Sequence, residues 1–377
     1  MKKKILILSF TDATRDPRVF RQLLTLNGEY ELTVIGFGDP GMDGVTFFPV
    51  VLHPSTSIAE RSYRAAALLL GKYEPYLHGR YRVLEKKAWE TRYDCVIVND
   101  LEPLLLGFAL SKGAPVIFDA HEYYPEENTS SFFWRFFFQR PSYNLCRIML
   151  TSCSAMTTVS EGVAHKYHRE FGIRSTLVLN APPYHEIEVR QCNPSHIRLI
   201  HHGGATPGRK LEKTIELLSY LDERFSLDML LVESDRGYLN KLKKIGKNFS
   251  RLRFLPPVAM RDIVTTISTY DIGVFLLENN TYNHEYALAN KVFEFIQARL
   301  CLAVSPTRGM KPFVEQQNIG VVSGNFSTES MAKALNALTT EDIIRFKQNS
   351  SIAAKKFNAE ASMNTIRQIV KDALGEG

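Results

Sequence analysis

The chain has 377 residues, of which 45% are hydrophobic and 23% charged, with five cysteines. These values exclude a disordered tail and a disulfide-stapled mini-protein, and the length favours two domains that each bury a core. The net charge of +6, from 46 basic and 40 acidic side chains, names no partner. Without a dense basic stripe or a recognition-helix pattern it gives nucleic acid no support.

The opening MKKKILILSF imitates a secretory signal, but its apolar run stops at TDATRDPR, so residues 4–8 read as a first buried strand. Further strands are expected at 31–36, 94–99, 114–119, 155–160 and 176–180, each a short apolar, β-branched run, with helix-length amphipathic segments between them. The clearest helix start is Asp16-Pro17-Arg18-Val19-Phe20, where Asp16 can cap, Pro17 suits the first helical position, and Phe20, Leu23 and Leu24 share a face. Residues 181–196, APPYHEIEVRQCNPSH, lack periodicity and read as an interdomain hinge. Alternation resumes with strands at 197–202, 228–232, 252–255, 271–277 and 301–305, and residues 342–374 are helical by period. The pattern is α/β throughout: two doubly wound, Rossmann-like domains, 1–185 and 195–355, with a C-terminal helical segment, 356–377, packing back toward the first.

Cys95, Cys146, Cys153, Cys192 and Cys301 include no CxxC pair, which fits a reducing cytoplasm. No stretch approaches the roughly 18 uncharged apolar residues of a membrane span, since Arg135, Arg140 and Arg147 interrupt the best one. Gly36-Phe37-Gly38-Asp39-Pro40-Gly41 fits a dinucleotide fingerprint, yet Pro40, Asp43 and Gly44 lead to another extended run, VTFFPV, where that motif requires a helix. P-loop, nucleophile-elbow, zinc-protease and Asp-x-Asp motifs are absent from the sequence. His165 and His168 read as a solvated helix surface.

Two segments of the second half carry the chemistry. In HHGGATPGRKLE, Gly203 and Gly204 let the backbone approach a ligand where a strand gives way to a helix, and Arg209 or Lys210 adds fixed positive charge, which together suit a phosphate. In NHEYALANKVFE, N–H groups around Leu288, Asn290 and Lys291 suit the same phosphates, and Glu294, one turn into the helix, suits the vicinal hydroxyls of a ribose. Two such junctions in one domain point to a nucleoside diphosphate. In the first half, Asn99-Asp100-Leu101-Glu102 and Asp119-Ala120-His121-Glu122 each close a strand, where open α/β sheets keep their ligands; His121 can bind a hydroxyl or move a proton.

In order and spacing these blocks resemble the large family-four group of retaining, nucleotide-sugar-dependent glycosyltransferases. DPRVFRQLLTLNGEYELTVIG is similar to the family's opening helix and second strand, VIVNDLEPLLLG and VIFDAHEYYPE to its paired strand ends, and TTVSEGVAHKY with LVLNAPP to the approach to its hinge. HHGGATPGRKLEKTIELL resembles the first phosphate loop, STYDIGVFLL the strand before the donor site, and ALANKVFEFIQARLCLAVS the helix bearing the ribose glutamate.

The resemblance implies a GT-B fold, with an acceptor-side domain and a nucleotide-sugar domain facing across a cleft, and transfer of a hexosyl or N-acetylhexosaminyl group with retention and without an obligatory metal. Arg209 would meet the diphosphate with Lys210 as a second cation, Glu294 the ribose, Asn290 and Lys291 the turn beneath the phosphates, and His121 the donor sugar. His121, Arg209 and Glu285 are the catalytic candidates, and Asp100 and Glu122 face the acceptor. Tyr286 stands where the family often has an acid, and SFTDATRD replaces the glycine pair after its first strand. No cofactor is expected beyond the co-substrate, a UDP- or GDP-sugar.

Two stretches, SIAERSYRAAALLLGKYEPYLHGRYRVLEKKAW and SSFFWRFFFQRPSYNLCRIML, mix basic and aromatic residues. The first reads as amphipathic core helices, while the Phe-rich second suggests peripheral contact with an anionic membrane, at the inner face of the cytoplasmic membrane, and a lipid-linked or oligosaccharide acceptor in bacterial-type cell-surface polysaccharide synthesis. A nucleotide-sugar epimerase of the same fold and a catalytically silent scaffold are the alternatives.

Overall fold

The computed structural model describes residues 2–14, 16–52, 57–83 and 85–377. It divides into a first unit of residues 1–179, 281–283 and 362–377, and a second of residues 180–280 and 284–361.

The first unit is built on an eight-stranded sheet of β1 (Lys4–Ser9), β2 (Glu31–Gly36), β3 (Val45–Leu52), β4 (Tyr81–Val83), β5 (Cys95–Asn99), β6 (Val116–Ala120), β7 (Ala155–Thr158) and β8 (Thr176–Leu177). Their order is β4-β3-β2-β1-β5-β6-β7-β8, parallel except for the β3–β4 pair. Alternation along each strand sends side chains to opposite faces, and here both faces are covered. Ile5, Ile7, Val34 and Ile97 join one core with Val19, Leu23 and Leu26 of the helix Pro17–Leu26, while Leu6, Leu8, Val96 and Val98 join another. The helix Ala359–Leu374 adds Met363, Ile366 and Val370 to the first of these, and Arg367 Nε donates to Glu29 at 2.8 Å.

The second unit repeats the plan with six parallel strands: β9 (Ile197–Gly204), β10 (Phe225–Val232), β11 (Leu252–Leu255), β12 (Ile272–Phe275), β13 (Cys301–Val304) and β14 (Gly320–Val322), ordered β11-β10-β9-β12-β13-β14. In both sheets the order reverses beside the unit's first strand, between β1 and β5 and between β9 and β12. Such a reversal opens a crevice at the strands' carboxyl ends, because successive crossover helices leave in opposite directions.

Local chemistry accounts for several boundaries. Asp16 caps its helix by accepting from the N–H groups of Arg18 and Val19. Gly36 and Gly38 lie beside residues 9–12, with Asp12 bridged to Gly38, and β3 follows Gly41 where a dinucleotide site would need a helix. β4 and β14, three residues each, went unpredicted, since so short a run has no period, and the strand expected at 176–180 shrinks to two residues. The basic stretch at 57–90 breaks into the helices Ile58–Leu69, Glu74–Arg80 and Lys86–Glu90, the first ending near Gly71 at φ +73°. The Phe-rich stretch runs as one helical path, Phe132–Trp134 through a wide π turn at Arg135–Gln139 into Arg140–Met149. Pro141 has no N–H to donate back, and a widened turn accommodates that loss. Among the described residues no helix is long and apolar enough to cross a membrane.

Candidate functional site

In the first unit, β5 and β6 end side by side in Asn99-Asp100 and Asp119-Ala120-His121-Glu122. Asp119 is fully buried, and the opening helix supplies its partners: Arg18 Nε at 2.6 Å and NH2 at 2.5 Å, and Gln22 Nε2 at 2.7 Å. Thr157 Oγ1 of β7 donates at 2.5 Å. Burial alone would raise this carboxyl, but the Arg18 guanidinium outweighs it and holds Asp119 well below the usual carboxylate range. Arg18 also donates to the Val178 carbonyl at 2.6 Å. This is an internally satisfied ion pair.

His121 stands at its edge, Nδ1 3.1 Å from Asp100 Oδ1 and Nε2 3.6 Å from Asp119 Oδ2. Burial lowers its pKa, yet Asp100 in first place and Asp119 after it carry it to about 8, so the imidazole is largely cationic at neutral pH. The sequence showed it no partner; the fold gives it two. Asp100 holds a left-handed backbone at φ +72° and accepts from the Tyr124 hydroxyl at 2.5 Å. Glu122 accepts from Asn283 Nδ2 at 3.1 Å, and burial, with Asp100 second, pushes it up to about 7. Glu127 reaches about 7 through burial and the neighbouring Glu122, Glu102 and Asp100. His121 and Glu122 therefore sit together with Asp100 at the ends of β5 and β6. His165 and His168 lie exposed on the helix Glu161–Phe171, away from any such group.

In the second unit, the β9–β12 ladder runs only over Leu199–Ile272 and Ile200–Gly273. Beyond it, the His201 ring bonds the Val274 carbonyl through Nδ1 at 2.9 Å, and β9 ends in Gly203 and Gly204. A side chain at Gly203 is doubly excluded: φ is +122°, and its Cβ would lie 2.7 Å from Lys291 Nζ and 3.3 Å from Arg209 NH1. Two cations thus converge on one bare stretch of backbone. Burial, then Arg209, pull Lys291 down to about 7 against the opposing Glu294, and burial lowers Arg209 as well. Among the described residues neither forms an ion pair, although Lys291 lies 5.1 Å over the Phe275 ring.

Lys291 opens the helix Asn290–Gln297, whose N-cap, Ala289, offers no side-chain acceptor, so the leading N–H groups and the helix dipole add to the positive field. Gly273 lets that helix approach, since its Cβ would strike Phe295 at 2.4 Å. One turn in, Glu294 Oε2 lies 3.3 Å from His202 Nε2. Burial and then Lys291 hold His202 well below its ordinary value and His201 at about 3, so both rings are neutral, and the His202 Nε2 beside the carboxylate makes no hydrogen bond among the described residues.

Other expected residues sit differently. Lys210 is taken by Glu278, which Lys213 also holds at 2.5 Å, and Gly204 faces Ser234 Oγ. Leu288 is half-buried and Asn290 exposed at the helix start. Glu285 Oε1 lies 3.4 Å from Arg308 Nε, and its Oε2 is buried without a hydrogen-bond partner among the described residues. Arg308 also donates to the Tyr286 hydroxyl at 3.1 Å, and burial, then Arg209, lower His284 next door. The HHGG segment leads first into a short 3-10 turn, Pro207–Arg209, and only then into the brief helix Glu212–Glu216. Among the described residues no three His, Cys, Asp or Glu side chains gather as a metal would require. Arg18, Gln22, His202 and Glu278 were not singled out from sequence. Arg18 and Gln22 stood four apart among the buried-face positions 19, 23 and 26, a polar pair on an apolar helix face.

No family model and no curated protein sequence matches the chain. Its likeness is to solved structures. Sucrose-phosphate synthase from Thermosynechococcus elongatus aligns over 100% of both chains at 12% identity and a TM-score of 0.72. A glycosyltransferase from Rickettsia africae aligns over 100% of both at 13% and 0.70. Anabaena HepE, in complex with UDP and glucose, aligns over 98% of this chain and 100% of its own at 13% and 0.69. The chain has the α/β fold of the GT-B glycosyltransferases.

Proposed function

We propose that the protein transfers a sugar from a nucleoside-diphosphate sugar to an acceptor hydroxyl. The observation that carries this reading is the convergence of Arg209 and Lys291 on Gly203 at the carboxyl end of β9. Like charges so placed repel each other in the free protein and are relieved by a bound anion. A diphosphate fits the position, because backbone N–H groups at the start of the helix Asn290–Gln297 and the two cations surround it. Glu294, beside the His202 ring, is one turn away to accept from ribose hydroxyls.

In this reading the acceptor oxygen bonds to the anomeric carbon as the bond from that carbon to the diphosphate oxygen breaks, and the acceptor proton passes to the departing phosphate. Arg209 and Lys291 stabilise the charge that grows on the diphosphate, which lowers the barrier because they are placed before the reaction begins. Attack and departure on one face give retention. His121, cationic and steadied by Asp100, donates to a donor-sugar hydroxyl, and Glu122 accepts from the acceptor. The donor is a UDP- or GDP-sugar, the moved group a hexose or N-acetylhexosamine, and the acceptor a lipid-linked or oligosaccharide glycan of cell-surface polysaccharide. The nucleotides in the HepE complexes agree with a UDP-sugar donor.

The test is thermal stability of the wild type and Glu294→Ala against UDP, GDP, ADP and CMP, since a ligand at about 100 times its Kd stabilises by about 2.7 kcal/mol. One nucleoside diphosphate is expected to raise the midpoint of the wild type alone. No shift with any of them would overturn the donor site.

A further inference from the structure

The helical path from Phe132 to Met149, in the first unit, has two faces of different chemistry. The inner face is packed. Phe138 meets the rings of Tyr73 and Tyr76 at 6.3 and 5.3 Å between centroids, Leu145 and Cys146 are buried, and Asn144 donates to the Gly71 carbonyl at 3.0 Å. The outer face is bare: Phe132, Phe133 and Phe136 are 73%, 64% and 56% exposed, and Ile148 is exposed further along. Phe132 and Phe136, four apart, stack at 6.3 Å, so the apolar surface is continuous. Clustered aromatic area of this kind on a water-facing surface marks an interaction site.

Charge says what covers it. Arg135, Arg140 and Arg147 are exposed on the same path, and no acid occurs between Ser131 and Ser160. Glu126 and Glu170, which share a groove with Arg135 and Arg140, have their carboxylates held by Lys166 and Tyr123. Phenylalanines among arginines, with no acid on the helical path itself, match a lipid interface: rings enter the boundary between headgroups and acyl chains, and guanidinium groups rest on phosphates. A second copy presenting the same face would set arginine against arginine.

We propose that Phe132, Phe133 and Phe136, flanked by Arg135, Arg140 and Arg147, dock the protein on an anionic lipid bilayer. The surface rests on exposure and charge in the first unit alone and holds whether or not the chain transfers a sugar. It would place the acceptor-side unit against a membrane, where a lipid-linked acceptor is found.

The experiment is flotation of the full chain with vesicles of phosphatidylcholine alone and of phosphatidylcholine with phosphatidylglycerol. The wild type is expected to float with the anionic vesicles and much less with the neutral ones. Each of Arg135→Gln, Arg140→Gln and Arg147→Gln is expected to weaken partition about fivefold. The triple variant F132S/F133S/F136S is expected to fall to background with an unchanged thermal midpoint and an unchanged nucleotide shift, and Leu24→Ser, an exposed apolar position elsewhere in the unit, to float like wild type. Should the triple variant misfold, Trp134 reports instead: in a Trp89→Phe background its emission should shift to the blue on adding anionic vesicles. Equal recovery of the wild type in the soluble fraction with and without vesicles overturns the proposal. So does undiminished flotation of a folded triple variant, or a wild-type dimer that the triple variant abolishes in a protein that binds no vesicle.

Discussion

At the carboxyl end of β6, Arg18 meets Asp119 and Asp100 meets His121, so the charges buried in the first unit are answered by the chain itself. At the carboxyl end of β9, Arg209 and Lys291 converge without an ion pair among the described residues. The second stands where its strand order reverses, between β9 and β12, and the first at the ends of β5 and β6, one strand beyond the reversal between β1 and β5. Taking a charge out of water is costly unless another compensates it; the first centre is compensated within the chain, while the second holds two cations together whose repulsion a bound anion, as proposed above, would relieve.

The comparison breaks most visibly at Arg18. Arg18→Met leaves Asp119 buried without its guanidinium and should lower the unfolding free energy by about 3–5 kcal/mol in denaturant melts. Because the folded-state pKa of Asp119 is depressed, its stabilisation is present above the unfolded value of about 4 and is lost as pH falls below it. Loss of the guanidinium should therefore move the acid-unfolding midpoint to higher pH. At the second centre the opposite holds. Arg209→Ala should leave the free protein as stable or more so, abolish the nucleotide-induced thermal shift, and reduce turnover by about 10²–10³-fold, since one charged contact to the developing anion is gone.

Lys291 sharpens the contrast through pH. Its folded pKa of about 7 lies below the unfolded value, so the unfolded chain binds more protons from about pH 7 to 10 and the free protein gains stability as pH rises through that window. Binding a sugar nucleotide favours the charged form. Affinity should then fall as pH rises above 7, by up to about tenfold per pH unit, and calorimetry in buffers of different ionisation enthalpy should record proton uptake that Lys291→Gln removes. His202→Ala should raise KM for the donor about threefold with kcat little changed, because the ring that packs beside Glu294, without a hydrogen bond to it, is gone. The smallest effect is expected at Lys210: Lys213 also holds Glu278, so Lys210→Ala should change stability and donor affinity by about 0.5 kcal/mol.

Much of this was legible in one dimension. The alternation of apolar runs with amphipathic segments located most of the strands, because a strand buried on both faces leaves a continuous apolar run. β4 and β14 escaped because three residues carry no period, and their pairing comes from neighbours. Gly203 and Glu294 stood out as residue types suited to phosphate and ribose, and His121 as a histidine closing a strand. Which cation meets Gly203 was not legible: Arg209 and Lys210 are adjacent, and a left-handed turn at Lys210, φ +46°, sends them to different partners.

What the sequence by itself determined is the doubly wound α/β plan, the Asp16 cap and the places where backbone lies bare at strand ends, all of which follow from local conformational preference and hydrophobic period. Only the tertiary structure decided the charge state of those places. Arg18 and Asp119 lie 101 residues apart, yet their atoms close to 2.5 Å, and Lys291 reaches the end of a strand far earlier in the chain. Pairing, repulsion and pKa depend on distance and on exclusion of water, which are fixed only when distant segments pack, so the same residue types form an ion pair in one sheet and a pair of converging cations in the other.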